Sequence, residues 1–297
     1  IIVVPAYNES EKILNVIEAL TTLKNKLKDV CLNIYIVNDG SMDCTGELAK
    51  NSIADQVIEH PVNLGLGAAV RTGLIAARDV GADIAIKFDA DLQHDPVDIP
   101  NLIKPIIEGY ADIVYGNRFN RILYKMPFVR RMGNRFFTHL MAFLTGYPVK
   151  DSQPGIFAVN SEYLKNFQIP GDYNYTQQIL LDAHYRNLRF AHVDVSFNKR
   201  MTGKSFVSLK YPFKVGYQIL MLIVSTKPFQ IFGPVGFLSL GGAAIISFFQ
   251  FYQWFIGETT KPIMNVNAVL GLLIFGIQTL FFGLLAQLIV NLNKLKK

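Results

Sequence analysis

Residues 84–96 read Ile-Ala-Ile-Lys-Phe-Asp-Ala-Asp-Leu-Gln-His-Asp-Pro, an apolar segment followed at once by acidic and amide side chains. The apolar part, Ile84–Phe88, is typical of a buried strand. Because alternate residues of an extended chain point to the same side, Asp89, Asp91 and Gln93 are predicted to lie together. Their oxygens suit Mg²⁺ or Mn²⁺, whose other coordination positions go to water and substrate phosphates. The stretch therefore predicts a partial metal site, with an acidic turn as the alternative and with His94 on the surface or behind the ligands.

Repeated strand and helix segments surround this stretch. The predicted strands are Ile1–Val4, Asn33–Val37, Gln56–Glu59, Ile84–Phe88 and Ile113–Tyr115. Four helices are predicted: the first has Ser10 as its N-cap, the second starts at about Thr45, and the other two cover Leu66–Val80 and Asp98–Glu108. Alternating strands and helices indicate an α/β fold with a mostly parallel sheet. Ligands of such sheets bind beyond the carboxyl ends of the strands. The polar clusters Tyr7-Asn8-Glu9, Asn38-Asp39 and Asp89–Asp95 are predicted to lie there.

The last part of the chain is apolar enough to cross a membrane. No charged residue occurs from Pro228 to Gly257 or from Pro262 to Asn293, and each stretch exceeds the ~20 residues that a span needs. Neither stretch has the polar face of a soluble core helix, which is the alternative. We therefore predict transmembrane helices at about 229–256 and 264–292, in a membrane domain 228–297. Small residues let such helices pack closely, a role predicted here for Gly241, Gly242 and Gly271.

Positive charge is concentrated in two tracts that lack acidic residues. The net charge is +6, and the tracts run between Asp112 and Asp151 and from Val195 to Gly257. Both mix Lys and Arg with large apolar side chains, which suits contact with anionic lipid headgroups and disfavours nucleic acid as a partner. Amphipathic helices on the membrane surface are predicted at about 127–146 and 206–226, with soluble helices packed on the core as the alternative. With these helices included, the predicted catalytic domain is 1–227.

Several ordered motifs resemble those of family 2 inverting glycosyltransferases. They are Val4-Pro5-Ala6-Tyr7-Asn8-Glu9, Val37-Asn38-Asp39-Gly40-Ser41-x-Asp43-x-Thr45, Asn63-Leu64-Gly65-x-Gly67-Ala68 and Asp89-x-Asp91-x-Gln93-His94. Further motifs resemble the dolichyl-phosphate mannose synthase and polyprenyl-phosphate glycosyltransferase branch, namely Gly116-Asn117-Arg118, Asp151-Ser152-Gln153-Pro154-Gly155 and Arg200-x-x-Gly203-Lys204-Ser205. Each motif is weak alone, but the ordered set spans nearly all of the predicted catalytic domain.

The resemblance implies a GT-A (Rossmann-like) nucleotide-sugar fold and a set of site residues. The implied nucleotide-binding residues are Pro5, Ala6, Tyr7, Glu9, Asp39, Asn63, Gly67, Arg71 and Asp89. Asp91 and Gln93 are the implied metal ligands, and Asp91 and Asp151 the implied catalytic carboxylates, with a purely structural turn as the alternative for Asp151. A guanidinium meets phosphate in a bidentate fork, and by analogy with the family the acceptor phosphate is assigned to Arg118, Arg131 and Arg200. The alternative for these arginines is a surface or lipid-headgroup role.

The implied reaction transfers a hexose from a UDP-glucose or GDP-mannose type donor to polyprenyl or dolichyl monophosphate, with inversion. A phosphate monoester has a second pKa of about 6, so its oxygen needs little help from a general base. A divalent cation would stabilise the departing diphosphate as a Lewis acid. The resemblance assigns neither the base nor the sugar of the nucleotide-sugar donor. Two departures from the family, Pro154 and Gln178, leave details of the acceptor pocket open as well.

Three other functions are disfavoured by particular residues. A dinucleotide-binding fold would need the third glycine that Gly65-x-Gly67-x-x-Val70 lacks. A processive polysaccharide synthase would carry a Gln-x-x-Arg-Trp element, whereas the single tryptophan, Trp254, lies in a predicted span. A non-catalytic membrane scaffold would not need the intact metal motif.

The orientation in the membrane is predicted from the charged flanks. Basic residues flank the spans, so the positive-inside rule predicts an integral membrane protein with both termini and the catalytic domain cytoplasmic. Its oligomeric state is left open, a homo-oligomer included.

Overall fold

The computed structural model describes residues 1–120, 128–169, 175–198, 224 and 227–295. The chain divides into two compact units, Ile1–Gly203 and Lys204–Lys297. The predicted surface helix at 206–226 lies almost wholly outside the described residues. The predicted boundary between 227 and 228 therefore stays a prediction.

The first unit is built on a sheet of seven strands. They are β1 Ile2–Ala6, β2 Ile34–Asn38, β3 Gln56–Glu59, β4 Ile84–Lys87, β5 Ile113–Asn117, β6 Phe157–Asn160 and β7 Phe190–Asp194, in the spatial order β3-β2-β1-β4-β6-β5-β7. Only β6 runs antiparallel to its neighbours, β4 and β5. The α/β class and the mostly parallel sheet are confirmed. The strands β6 and β7 were not predicted from the sequence.

Helices cover both faces of this sheet. They are α1 Ile13–Lys26, α2 Thr45–Lys50, α3 Leu66–Asp79, α4 Ile99–Ile107, α5 Phe128–Thr145, α6 Ser161–Asn166 and α7 Tyr175–Tyr185. Side chains of β1 alternate between the two faces: Ile2 and Val4 pack in a core with α1 and α4, whereas Val3 packs against Ala69 of α3. Burial on both faces explains the uniformly apolar sequence of β1. Polar side chains that could meet a ligand therefore come after the end of the strand.

The start of α1 differs from the prediction. The helix begins at Ile13 and no side chain caps it. Ser10 instead donates its backbone N–H to the carboxylate of Asp43, at 3.2 Å. The predicted N-cap is therefore wrong, because Ser10 belongs to a loop that is held by the chain after β2.

The second unit contains two long apolar helices, α8 Phe229–Phe255 and α9 Val266–Leu295. Their mean hydropathies are 1.8 and 2.3, and only 22% and 17% of the apolar windows are buried, so both are long and apolar enough to span a membrane. A Cβ at Gly236 would lie 3.0 Å from the Gly276 carbonyl oxygen, so small residues do permit close approach. Gly241 and Gly271 face open space. The packing role predicted for Gly241 and Gly271 is therefore wrong, whereas Gly242 lies beside the other helix, where a Cβ would be 3.9 Å from the Leu272 side chain.

Candidate active site

The loops after β1 and β2 are joined by hydrogen bonds. The Asn8 N–H donates to Ser41 Oγ at 3.0 Å, and Asn8 Oδ1 accepts from the Met42 N–H at 2.9 Å. The Glu9 N–H donates to Thr45 Oγ1 at 2.9 Å. Two motifs that are separate in sequence therefore form one continuous rim at the carboxyl ends of neighbouring parallel strands.

Asp43 supports the same rim. Its Oδ1 accepts from the backbone N–H and the hydroxyl of Thr45, at 3.0 and 2.5 Å. Partial burial alone would raise the pKa of the Asp43 carboxyl, but hydrogen bonds from Thr45 and Ser10 outweigh it and hold the pKa below its usual range. The carboxylate therefore stays ionised and keeps the two loops together.

Asp39 lies at the end of β2 and is 3% exposed. Its Oδ1 accepts from the Leu64 N–H at 2.9 Å and its Oδ2 from the Gly65 N–H at 2.8 Å. Gly40 has a φ of +65°, and a Cβ there would collide with the backbone of Val62 and Asn63. Asp39 thus also anchors the segment that carries Asn63, Gly67 and Arg71, three more of the predicted nucleotide-binding residues.

His60 was not among the predicted site residues. Its Nδ1 lies 2.7 Å from Asp39 Oδ1 and its Nε2 lies 2.9 Å from the Thr72 hydroxyl. Because a carboxylate only accepts, the Nδ1–H donates to Asp39, and the ring joins this carboxylate to the Thr72 hydroxyl. The sequence feature that could have pointed to His60 is its position, directly after the strand β3 and three residues before Asn63.

The metal motif is a turn, not the extended chain predicted. The strand β4 ends at Lys87, and Leu92 has a φ of +60°, a left-handed conformation unusual for leucine. Asp91 Oδ1 accepts from the Gln93 N–H at 3.1 Å, which closes the turn. The side-chain amide nitrogen of Gln93 donates to the Asn198 carbonyl at 3.2 Å. This contact leaves the amide oxygen of Gln93 as the atom able to ligate a cation.

The donor set fits a divalent cation that is completed by substrate. Among the described residues no three His, Cys, Asp or Glu side chains form a metal cage. Asp91 and Gln93 supply a carboxylate and an amide oxygen, the hard ligands of Mg²⁺ and Mn²⁺. A Cβ at Gly155 would collide with the His94 ring and lie 2.7 Å from Asp89 Oδ2, so the glycine leaves room beside that carboxylate.

His94 is buried behind the motif, not on the surface. It is 2% exposed, and its ring lies 5.1 Å from the Phe197 ring. Desolvation lowers the pKa of His94 to about 4, so the imidazole is neutral near neutral pH. The alternative prediction, a position behind the ligands, matches this placement.

Arg118 and Asp151 form a buried ion pair. Arg118 Nε lies 2.9 Å from Asp151 Oδ2, and the two residues are 6% and 0% exposed. The Arg118 guanidinium also stacks over Phe119 and Phe197, at 5.6 and 5.2 Å from the ring centres. A predicted acceptor ligand and a predicted catalytic carboxylate are thus partners of each other.

The segment 151–155 is tied to two helices. Asn134 of α5 donates to Asp151 Oδ1 at 3.1 Å. The Ser152 N–H donates to Thr138 Oγ1 of α5 at 3.3 Å, and Thr176 of α7 donates to the Ser152 carbonyl at 2.9 Å. These buried contacts join the ion pair to the helix that carries Arg131.

Arg131 is exposed and lines a cavity of about 330 Å³. The cavity lies between α5, the end of β5 and the chain before Asp151, and its lining includes Arg135, His139, Lys150 and Asn134. The cavity lining is therefore basic, and Asn134 connects it to Asp151. Arg200, the third predicted acceptor ligand, lies outside the described residues.

The other predicted site residues are placed as follows. Pro5 and Ala6 end β1 and are buried, Tyr7 is 40% exposed, Asn63 is exposed, and Gly67 is buried in α3. Glu9 pairs with Lys12 at 2.9 Å, and Arg71 donates to the Ile169 carbonyl at 2.7 Å. The loop residues Tyr7, Glu9, Asn63 and Asp89 are accessible or partly so, whereas Arg71 is held against a segment of the core.

The chain is similar to several known proteins. Residues 1–167 match the family model described as Glycosyl transferase family 2. A UDP-N-acetylglucosamine–dolichyl-phosphate N-acetylglucosaminyltransferase of Methanococcus voltae is 33% identical over 243 residues, 74% of this chain and 94% of the relative. A dolichol-phosphate mannosyltransferase of Pyrococcus furiosus is 29% identical over 212 residues, 69% of this chain and 58% of the relative.

A solved structure also resembles the chain. Glucosyl-3-phosphoglycerate synthase from Mycobacterium tuberculosis, crystallised with Mn²⁺, uridine diphosphate and glucosyl-3-phosphoglycerate, matches with a TM-score of 0.58. The identity is 22%, and the match covers 76% of this chain and 78% of the other. At this identity the likeness concerns the fold.

Proposed function

We propose a reaction from the premise that the chain belongs to glycosyl transferase family 2 and has a GT-A-like fold. In this proposal the chain transfers a hexose from a nucleotide sugar to polyprenyl or dolichyl monophosphate, with inversion. The observation that carries the proposal is the pairing of two sites in one unit. One is the rim of loops at the ends of β1, β2 and β4; the other is the basic cavity beside α5.

The rim is the proposed nucleotide-sugar site. Tyr7, Glu9 and Asn63 border it, and Asp39 holds the segment that would cover the nucleotide. The remaining acceptor capacity of the Asp39 carboxylate would meet a ring N–H of uracil or guanine. Asp91 and Gln93 would hold Mg²⁺ or Mn²⁺, which when bound stabilises negative charge on the diphosphate leaving group.

The basic cavity is the proposed acceptor site. Arg131 would bind the lipid phosphate, and Arg118 would support it from the buried pair with Asp151. In this arrangement Asp151 acts by orienting Arg118. The phosphate oxygen is ionised near neutral pH and attacks the anomeric carbon directly, so the chain needs only to align two anions. A single in-line displacement inverts that carbon.

The exposed side of α5 is the proposed membrane-facing surface of the catalytic unit. Met132, Phe136 and Phe143 are 56%, 60% and 68% exposed, and Arg131 and Arg135 are exposed beside them. Apolar and basic side chains on one helix are typical of helices that lie among anionic headgroups.

We also propose two membrane spans with both termini and the catalytic unit cytoplasmic. The connection between α8 and α9 would then be outside the cell, and a Thr259→Cys variant would react there with an impermeant thiol reagent. Cys31 and Cys44 are free and exposed, so both are first replaced by Ser. Labelling of the Thr259→Cys variant only after permeabilisation would reverse the orientation.

The proposed reaction is tested with the purified full chain in phospholipid vesicles that contain polyprenyl phosphate. UDP-glucose, GDP-mannose and UDP-N-acetylglucosamine are supplied separately with Mg²⁺ or Mn²⁺. We expect one donor to give a glycosylated lipid phosphate of opposite anomeric configuration, identified by mass spectrometry and NMR. Release of free sugar from every donor without a lipid product would contradict the proposal.

A further inference from the structure

Lys87 is a buried lysine inside the candidate site that the proposed mechanism does not use. It ends β4, two residues before Asp89, and is 1% exposed. The preceding residues of the strand are Ile84, Ala85 and Ile86. A buried ammonium group is costly unless it is paired and hydrogen-bonded, so its contacts indicate why it is there.

Three groups surround the Lys87 ammonium. It donates to Asp89 Oδ1 and, at 2.7 Å, to the Gly155 carbonyl, and the Tyr175 hydroxyl is near enough to affect its charge. Desolvation alone would lower the pKa of Lys87, but Asp89 and Tyr175 outweigh it and raise the pKa above its usual value. An ammonium has three N–H donors, and two of them go to Asp89 and Gly155. Lys87 therefore remains charged and is committed to these partners.

The contacts hold Asp89 in one orientation. Its Oδ1 is taken by Lys87, while its Oδ2 lies beside Gly155, where a Cβ would be 2.7 Å away. The Asp89 side chain is 26% exposed, so the carboxylate is at the edge of the site whereas its partner is inside. Lys87 also connects β4 to the segment before β6 and to α7, through Gly155 and Tyr175.

We propose that Lys87 is a positioning residue, which fixes the Asp89 carboxylate for the nucleotide-sugar donor and offsets its charge where the donor diphosphate must bind. This inference rests on the proposed function, because it assumes that Asp89 contacts the donor. Lys87 is buried whereas its partner Asp89 is 26% exposed, so its effect on the donor passes through Asp89. Loss of Lys87 would leave an unpaired carboxylate that rotates freely and repels the diphosphate.

The test is a double-mutant cycle with Lys87→Met and Asp89→Asn in the full chain. Binding of UDP and GDP, each with Mn²⁺, is measured by isothermal titration calorimetry, without the sugar or acceptor. We expect K87M to weaken binding of the preferred diphosphate by at least about tenfold, as for loss of a charge-assisted contact. The K87M/D89N variant should bind as D89N does, because Lys87 acts through Asp89. Lys104→Met, at an exposed lysine on α4, is the control and should bind like the wild type.

Two outcomes would overturn the inference: wild-type binding by K87M, or weaker binding by K87M/D89N than by D89N, which would mean that the two effects multiply. If K87M fails to fold, the comparison of K87M/D89N with D89N still decides, because neither contains the unpaired carboxylate. Failure of the proposed function gives a different result. In that case D89N does not change diphosphate binding at all.

Discussion

The two halves of the sheet present their polar residues differently. In the half formed by β3, β2, β1 and β4, the loop residues Tyr7, Asn8 and Asn63 are exposed, and hydrogen bonds between backbone and side-chain groups hold the loops. In the half formed by β6, β5 and β7, Arg118 and Asp151 are buried and form an ion pair. The first half offers side chains to a ligand, whereas the second is a preformed charge network with one basic cavity beside it. We infer that donor binding depends on loop geometry together with the Lys87–Asp89 pair, and that acceptor binding depends on the buried Arg118–Asp151 pair.

The largest expected effect is in the first half. Asp91→Asn removes the one carboxylate among the two proposed metal ligands, so turnover should be abolished while the thermal unfolding midpoint changes little. The measurement is product formation with Mn²⁺ varied up to millimolar concentrations. Asp79→Asn, at an exposed acid on α3, is the matched control and should be active. Full wild-type activity in excess chelator would contradict a metal role in this half.

The second effect tests the buried pair. Asp151→Asn leaves the Arg118 charge without its partner and should destabilise the catalytic unit by roughly 3–5 kcal/mol. The double variant Arg118→Met with Asp151→Asn should recover most of this stability, while acceptor use should stay low. Thermal unfolding and acceptor kinetics of the two variants and the wild type separate the two roles. Equal stability of Asp151→Asn and the wild type would show that the pair is not the support proposed here.

The smallest of the three effects concerns the basic cavity. Arg131→Ala removes an exposed charge-assisted contact of about 1.5–3 kcal/mol, so acceptor use should fall about ten- to a hundred-fold. Nucleoside diphosphate binding should not change. The Arg131→Lys variant should keep only part of the wild-type acceptor use, because lysine lacks the bidentate fork. Arg78→Ala, at an exposed arginine on α3, is the control. A loss of donor binding in Arg131→Ala would remove the distinction between the two halves.

Much of the first half could be predicted from the sequence because its signals are local. The strands β1, β2 and β4 are short, mostly apolar runs, and each polar cluster directly follows one of them. The motif at Asp89 was placed correctly, but its geometry was not. A turn that puts Leu92 in a left-handed conformation cannot be read from residue spacing.

The second half was less predictable because its roles depend on pairing across the chain. Arg118 and Asp151 are far apart in sequence, and nothing near either residue indicates that they meet. The strand β6 has only four residues and lies antiparallel between β4 and β5, an arrangement that tertiary packing determines. Lys87 was missed for a related reason, because its partners Gly155 and Tyr175 are distant in sequence.

The most direct test of the proposed function is the identity of the nucleophile. The full chain in vesicles is given its preferred labelled donor and, in separate reactions, polyprenyl monophosphate, free polyprenol or a soluble oligosaccharide. We expect transfer only to the monophosphate, giving a lipid product joined through an acid-labile phosphodiester, because the basic cavity binds a dianionic headgroup. Transfer to polyprenol or to the oligosaccharide at a comparable rate would contradict the account, since the phosphate would then not be the attacking group.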